Sequence, residues 1–228
     1  MRHSHRNLQG GGARAAVFGV SDGLVSNVAL ILGMAGAHAS ASAVRLAGVA
    51  GLIAGSFSMA AGEYVSMRAQ SELMERELDV ERQAISHDPE DERRELAGIY
   101  RSRGLDADMA DELSVKMMSD PELALETHAR EELGINPGET GKPLQAASSS
   151  FVMFAIGAFI PLLPWLITSG TKATLWSVVL GAVGALTVGA ALALFTGRSW
   201  VWSASRQLLI SGIAAAVTYT VGHLIGAG

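Results

Sequence analysis

The chain has 228 residues, of which 49% are hydrophobic, and it contains no cysteine. Its mean hydropathy of +0.30 is high for a soluble domain of this size, so an integral membrane protein is the first class to consider. The absence of cysteine excludes a disulfide framework, a thiolate metal site and a cysteine nucleophile.

The net charge of −5 hides a very uneven distribution. Of the 22 acidic residues, 21 lie between Glu63 and Lys142, together with ten basic residues, so this stretch alone carries −11. The remaining acid is Asp22, which lies inside the first apolar run. Nucleic acid is disfavoured as a partner because phosphate binding needs a basic face.

Five segments are apolar over about 20 residues, the length that a helix needs to cross a bilayer. Two precede the acidic stretch, three follow it, and none shows the period-2 alternation of a β-strand. The chain is therefore predicted to be an all-α integral membrane protein with five transmembrane helices and a helical cytoplasmic domain between helices 2 and 3. The predicted spans are 15–37, 44–65, 148–167, 174–196 and 207–225.

These spans divide the chain into a cytoplasmic tail, two membrane segments and an acidic domain. The predicted domains are 1–14 for the tail, 15–65 for transmembrane helices 1 and 2, 66–147 for the acidic domain, and 148–228 for helices 3 to 5. Pro161 and Pro164 are predicted to kink the third span or to end it early. The start of the chain lacks the short apolar core and cleavage site of a signal peptide, so no cleaved leader is expected.

The basic residues outside the acidic domain predict the orientation, because cytoplasmic loops are enriched in lysine and arginine. Five of them fall on one side of the membrane: Arg2, Arg6, Arg14, Arg198 and Arg206. Only Arg45 and Lys172 fall on the other side. The N-terminus and the acidic domain are therefore expected in the cytoplasm. A bacterial inner membrane is favoured by the short basic start, with a vacuolar membrane expected for a eukaryotic protein.

The acidic domain is predicted to consist of helices. Strong helix formers continue from the second span to about residue 87, so one helix is expected to leave the membrane without a break. Asp88-Pro89 and Asp120-Pro121 start two further helices, since proline suits the first turn and acids suit the positive end of the helix dipole. Another helix is expected over 106–118.

Three residues near the first two spans are candidates for an ion path. Asp22 is an ionisable group within a span, and such groups usually face a water-filled path or a partner. The alternative is that Asp22 anchors the helix near the membrane boundary. Met59 has the position of a core residue, although its thioether is a soft ligand for transition metals. Glu63 is the first acid after the second span, where interface marking is the default role.

Several acids in the acidic domain are spaced so that their side chains share a helix face. The pairs are Glu77 with Glu81, Glu92 with Glu95, and His128 with Glu132. Such a face is either solvated, with nearby arginines forming ion pairs, or it holds a cation. Oxygen and imidazole ligands together suit Fe²⁺, Mn²⁺, Co²⁺ and Zn²⁺. The continuity of this domain with a span and the acid inside the membrane favour the metal interpretation.

At this point the sequence resembles a known family. The stretches "SDGLVSNVALILGMAGA", "AGSFSMAAGEYVSMRAQSE", "ELAGIYRSRGLD", "HAREELGI" and "GAFIPLLPW", in this order, resemble the vacuolar iron transporter family over 15–225. The resemblance implies a homodimer of five-span subunits that moves divalent metal, Fe²⁺ and often Mn²⁺, in exchange for protons. It implies a path at the dimer interface and a cytoplasmic metal-binding domain, with no prosthetic group.

The resemblance also assigns residues. Asp22 and Met59 match path residues of the family, and the metal-domain carboxylates are matched by Glu81, Glu92, Glu95 and Glu132.

The chain departs from plant-type members at four positions. Ala84 stands in place of a second glutamate, His128 and Ala129 in place of two methionines, and Gly51 in place of an acid in the second span. These departures leave the number of bound ions and the preference for iron open, with Zn²⁺ or Co²⁺ as further candidates.

The predicted function is a proton-coupled transporter that moves divalent transition metals out of the cytoplasm. The alternative is a membrane-tethered metal sensor or storage module, for which a single span would suffice. An enzyme is disfavoured, because the acidic domain lacks the Glu-x-x-His motif of di-iron bundles and the chain has no P-loop.

Overall fold

The computed structural model describes residues 11–137 and 141–226, and in these ranges every regular element is an α-helix. This confirms the predicted all-α class. The eight helices are α1 Gly11–Gly36, α2 Ala41–His87, α3 Pro89–Ser102, α4 Ala107–Met117, α5 Pro121–Glu131, α6 Pro143–Ile167, α7 Gly170–Thr196 and α8 Trp200–Gly226.

Five of these helices, α1, α2, α6, α7 and α8, are long and apolar enough to cross a membrane, as predicted. The chain divides into two compact units, which we call the membrane unit (residues up to Val65 and from Lys142 on) and the acidic unit (Ser66–Gly141). The division falls within α2, a single helix of 47 residues whose apolar part ends near Val65. Helix α6 begins at Pro143, five residues before the predicted start of the third span.

Helix α1 packs against α6, α7 and α8 in the membrane unit. Its contact with α6 is made by backbone, because a methyl group on Gly23 would overlap the carbonyl oxygen of Phe154. In the same way, a methyl group on Gly157 would overlap the carbonyl oxygen of Val20. Small residues at such positions let membrane helices approach closely, so this pair of helices is held at backbone contact.

The two prolines of α6 do not end this helix early, which was one of the two predicted effects; the other, a kink, stays a prediction. The helix continues through Pro161 and Pro164 to Ile167. Neighbouring elements bond its backbone in this stretch: the Ser177 hydroxyl donates to the Pro161 carbonyl at 2.7 Å. Membrane helices tolerate proline where neighbouring helices offer such partners.

The structure gives two basic residues of the orientation prediction a setting that the sequence did not indicate: Arg45 forms a hydrogen bond, and Arg206 lies in a helix. Arg45 donates from Nε to the Trp165 carbonyl at 2.6 Å, and so bonds the end of α6, where basic side chains interact favourably with free carbonyls. Arg206 lies within α8 rather than in a loop, because α8 begins at Trp200 and the predicted connection over 197–206 is only three residues long. Arg2 and Arg6 lie outside the described residues.

The acidic unit contains the end of α2 and three short helices. Helix α3 packs on α4 through Leu96, Tyr100 and Ala110, which form a small buried core. The three predicted helix starts are confirmed, and two of them have side-chain caps: the Asp106 carboxylate accepts from the backbone N–H of residue 109, and the Asp120 carboxylate accepts from those of residues 122 and 123. These caps satisfy N–H groups that have no partner inside a helix. Asp88, before Pro89, makes no side-chain cap bond with the described residues.

Candidate metal site and membrane cavity

Four metal-ligating side chains come together inside the acidic unit. They are contributed by α2, α3 and the end of α5, and each offers one atom to a group in which all four atoms lie within 4.8 Å of one another. The four residues, which we call the acidic cluster, are Glu81, Glu92, His128 and Glu132.

The imidazole of His128 is the centre of the acidic cluster. Its Nδ1 lies 3.1 Å from a carboxylate oxygen of Glu81, 3.3 Å from one of Glu132 and 3.8 Å from one of Glu92. His128 is fully buried and Glu81 is 7% exposed. Three carboxylates therefore converge on one buried nitrogen, an arrangement that is costly without a compensating cation.

Two buried atoms of the acidic cluster lack a well-formed hydrogen bond among the described residues. Nε2 of His128 has no hydrogen-bond partner, and Oε1 of Glu81 has only its 3.1 Å ion-pair contact with Nδ1 of His128. Buried polar atoms in folded proteins are nearly always bonded, so these two atoms at the centre of a carboxylate group call for a ligand. A borderline divalent cation, which accepts both oxygen and imidazole donors, fits this set.

Burial and charge shift the protonation of the carboxylates. Glu81 lies four turns beyond the apolar part of α2, and burial raises its pKa from 4.5 to about 7. His128 opposes this shift of the pKa, while Glu132, Glu92 and Glu95 add to it. Burial likewise raises the pKa of Glu92. Near neutral pH the cluster therefore retains a proton that a bound metal would have to displace.

Glu95 differs from the other predicted ligands in its position. It is exposed, and it is not one of the four residues whose donor atoms meet, although its charge reaches Glu81 and Glu92. The helical spacing placed Glu92 and Glu95 on one face, but only Glu92 turns towards His128. Of the residues that replace family ligands, Ala129 is fully buried and Ala84 partly buried.

The three predicted path residues line one cavity in the membrane unit. This cavity, of about 480 Å³, lies among residues of α1, α2 and α6, and includes Asp22, Met59 and Glu63 in its wall. Three further polar residues line it, Ser26, Asn27 and Ser58. A carboxylate inside a membrane is expected to face such a space rather than lipid.

Glu63 is paired within the membrane unit. Its carboxylate accepts from the Arg14 guanidinium at 3.3 Å, and the Glu63 side chain is only 14% exposed while that of Arg14 is 71% exposed. Glu63 therefore lines the cavity and is paired with a solvated cation beside it. Arg14 is the arginine nearest to the start of the first span, but the sequence did not indicate its pairing with Glu63.

The structure thus combines five helices that are long and apolar enough to cross a membrane, an acid-lined cavity among them, and a buried carboxylate–imidazole cluster whose ligand types suit divalent cations. Nothing in the described residues resembles a nucleotide site or a nucleophile with its base.

The comparison with known proteins agrees with this class. Residues 13–223 match the profile of the VIT family, and the chain belongs to that family. The vacuolar iron transporter of Centaurea cyanus is 32% identical over 220 residues, which cover 96% of this chain and 90% of the relative. Vacuolar iron transporter 1 of Arabidopsis thaliana is 32% identical over 225 residues, covering 98% and 90%. The vacuolar iron transporter of Acanthamoeba castellanii is 35% identical over 231 residues, covering 96% and 82%.

Proposed function

We propose that the protein is a proton-coupled transporter that moves divalent transition metals, Fe²⁺ and also Mn²⁺, out of the cytoplasm. The acidic cluster collects ions from the cytoplasm, and the cavity with Asp22, Met59 and Glu63 is part of the path across the membrane. The observation that carries this proposal is the convergence of three carboxylates on the buried His128 in a member of the VIT family.

The residues of the cavity support a role for protons as well as metal. Asp22 is the only acid of the first span, and a carboxylate in that setting alternates between holding a cation and holding a proton. Met59 adds a thioether, which disfavours Mg²⁺ and Ca²⁺ relative to transition metals. Exchange of one metal ion for protons at the same carboxylate would couple the two movements.

The proposed assembly is a homodimer in a lipid bilayer with the N-terminus in the cytoplasm. Several large apolar side chains of α2 are exposed in the isolated chain, among them Leu46 at 72% and Phe57 at 64%, and such a surface suits lipid or a second subunit. In a bacterium, this orientation means export through the cell membrane. In a eukaryote, it means loading of a vacuole, the compartment in the names of the relatives.

The test is metal uptake into proteoliposomes of the purified full chain with an imposed pH gradient. Fe²⁺, Mn²⁺, Co²⁺, Zn²⁺ and Ca²⁺ are compared under the same gradient. We expect uptake of transition metals that follows the gradient and excludes Ca²⁺. Asp22→Asn should abolish uptake without changing the elution volume of the protein in detergent, because it removes the charge and keeps the shape.

Glu75→Gln is the control: it removes an exposed acid of α2 that forms no ion pair with the residues the structure describes, and it should transport like the parent protein. Normal uptake by Asp22→Asn would make Asp22 an anchor and refute the path. Metal binding by the full chain without any uptake would favour the tethered sensor or storage module instead.

A further inference from the structure

The side chain of Asn27 is a buried amide, and only its nitrogen forms a hydrogen bond with the described residues. Asn27 lies on α1, is 2% exposed and lines the same cavity as Asp22 and Met59. Its Nδ2 donates to the carbonyl oxygen of Ala158 on α6 at 2.6 Å. This bond determines the orientation of the amide, since an oxygen in the same place would face another oxygen.

The other half of this amide, Oδ1, has no hydrogen-bond partner among the described residues. Burying a polar oxygen inside a membrane protein without a hydrogen bond costs free energy. The bond from Asn27 to α6, where α1 and α6 are in backbone contact, explains how the amide is held in place. It does not explain why the amide oxygen is buried without a partner.

Gly51 of α2 lies beside this oxygen, on the side of the cavity. A methyl group at position 51 would lie 3.0 Å from Oδ1 of Asn27 and 2.6 Å from a terminal carbon of Leu30. Gly51 and Leu30 are also part of the cavity wall. A larger side chain at position 51 would therefore crowd both the oxygen and Leu30.

We propose that Oδ1 of Asn27 is a neutral oxygen ligand for the transported ion, in the cavity that Asn27 lines. The inference rests on the proposed transport function and deepens it. The wall of this cavity also contains Asp22 and Met59, so it offers one charged oxygen, one neutral oxygen and one sulfur. The ligand class is a partly dehydrated divalent transition-metal ion.

The chemistry of this set predicts a selectivity. Carbonyl and carboxylate oxygens suit harder ions such as Mn²⁺, whereas thioether sulfur suits softer ones. Asn27 therefore shifts the preference towards the harder ions without adding a second charge to the cavity. A single net charge also keeps the ion from binding too tightly to leave, a requirement for every site along a path.

The experiment compares Asn27→Leu, Asn27→Asp and Gly51→Ala with the parent protein in the proteoliposome assay, using Mn²⁺ and Co²⁺ as probes. Asn27→Leu removes the oxygen, and we expect KM for Mn²⁺ to rise at least about tenfold, the equivalent of about 1.4 kcal/mol. KM for Co²⁺ should rise less, so the ratio of Mn²⁺ to Co²⁺ uptake falls. Asn27→Asp keeps the oxygen ligand but sets its second oxygen against the Ala158 carbonyl, so it should keep the Mn²⁺ to Co²⁺ ratio of the parent protein even where total uptake falls.

Gly51→Ala distinguishes a ligand from a structural residue. It keeps Asn27 and its bond to Ala158 but places a methyl group 3.0 Å from Oδ1, where it obstructs an approaching ion, so KM for Mn²⁺ should rise here too. Two matched controls accompany these variants. Gln207→Leu removes another buried amide, which donates to the Ser21 hydroxyl at 2.6 Å, and Gly212→Ala adds a methyl group to α8 where nothing lies within 4 Å.

The outcomes separate this inference from the proposed function. If the parent protein transports and Asn27→Leu keeps both its KM and its Mn²⁺ to Co²⁺ ratio, Asn27 is not a ligand. If Asn27→Leu and Gln207→Leu lower uptake of both metals equally, the amide acts only in packing and the inference is wrong. If the parent protein itself fails to transport, the proposed function fails first.

Discussion

Replacing Glu81 by glutamine should stabilise the metal-free acidic unit while it weakens metal binding. Removal of one partner of a buried ion pair normally destabilises a protein. Here the balance is reversed, because Glu81 shares His128 with two other carboxylates, and the net effect of burial and neighbouring charge is to raise its pKa. Glutamine keeps the shape of the side chain and removes the charge.

The magnitude follows from the shift of the pKa. One pKa unit corresponds to about 1.4 kcal/mol, so a rise from 4.5 to about 7 makes ionised Glu81 unfavourable by about 3 kcal/mol. Between pH 4.5 and about 7 the folded state binds more protons than the unfolded state, so the free energy of unfolding falls as pH rises through this window. The gain from Glu81→Gln should therefore be near zero below pH 4.5 and reach about 3 kcal/mol at pH 8.

Hydrogen exchange of the α5 backbone amides in the full chain measures this effect locally. We compare the opening free energy at pH 6 and pH 8 for the parent protein, Glu81→Gln and the exposed control Glu75→Gln. Added Mn²⁺ should slow exchange in the parent protein and have little effect in Glu81→Gln, since a ligand stabilises only the state that binds it. Faster exchange in metal-free Glu81→Gln at pH 8 would refute the reasoning, because the bond to His128 would then outweigh the repulsion.

Two other expectations follow from the geometry. The affinity of the full chain for Mn²⁺, measured by competition with a chromophoric chelator, should fall about tenfold per pH unit below pH 7, because binding displaces the proton on Glu81; an affinity independent of pH would place the metal elsewhere. Gly23→Ala should lower the free energy of unfolding in detergent by about 1–3 kcal/mol, since its methyl group meets the Phe154 backbone. Thermal unfolding in detergent measures this loss, with Gly212→Ala as the control. Equal melting temperatures of the two variants would contradict the tight contact.

The sequence was informative where the signal is local or averaged over many residues. Five apolar runs predicted the five membrane helices, and the aspartates before Pro89 and Pro121 predicted two helix starts. The spacing of His128 and Glu132 predicted that their side chains meet, because residues four apart on a helix are neighbours. Spacing could not predict that α2 and α3 would bring Glu81 and Glu92 to the same imidazole, since that depends on packing between elements.

The differences between prediction and structure have physical reasons of the same kind. Pro161 and Pro164 do not end α6, and the contacts that α6 makes with its neighbours, such as the Ser177 bond to the Pro161 carbonyl, are invisible in the sequence. Glu95 shares a helix face with Glu92 by spacing, while the packing of α3 leaves it exposed. The proximity of Asn27 and Gly51 across two helices likewise depends on packing, which neither residue indicates by itself.

The backbone contact between α1 and α6 also decides which parts of the membrane unit are free to move during a transport cycle. Carbonyl oxygens that touch glycines at Gly23 and Gly157 leave no room for sliding, so Asp22 and Asn27 sit on a fixed frame. Helix α2 meets that frame through the ends of side chains, because Gly51 and Gly55 lie against the terminal atoms of Leu30 and Phe154. If the cavity opens and closes as the proposed function requires, we expect α2 to move, and with it Met59 and Glu63 relative to Asp22.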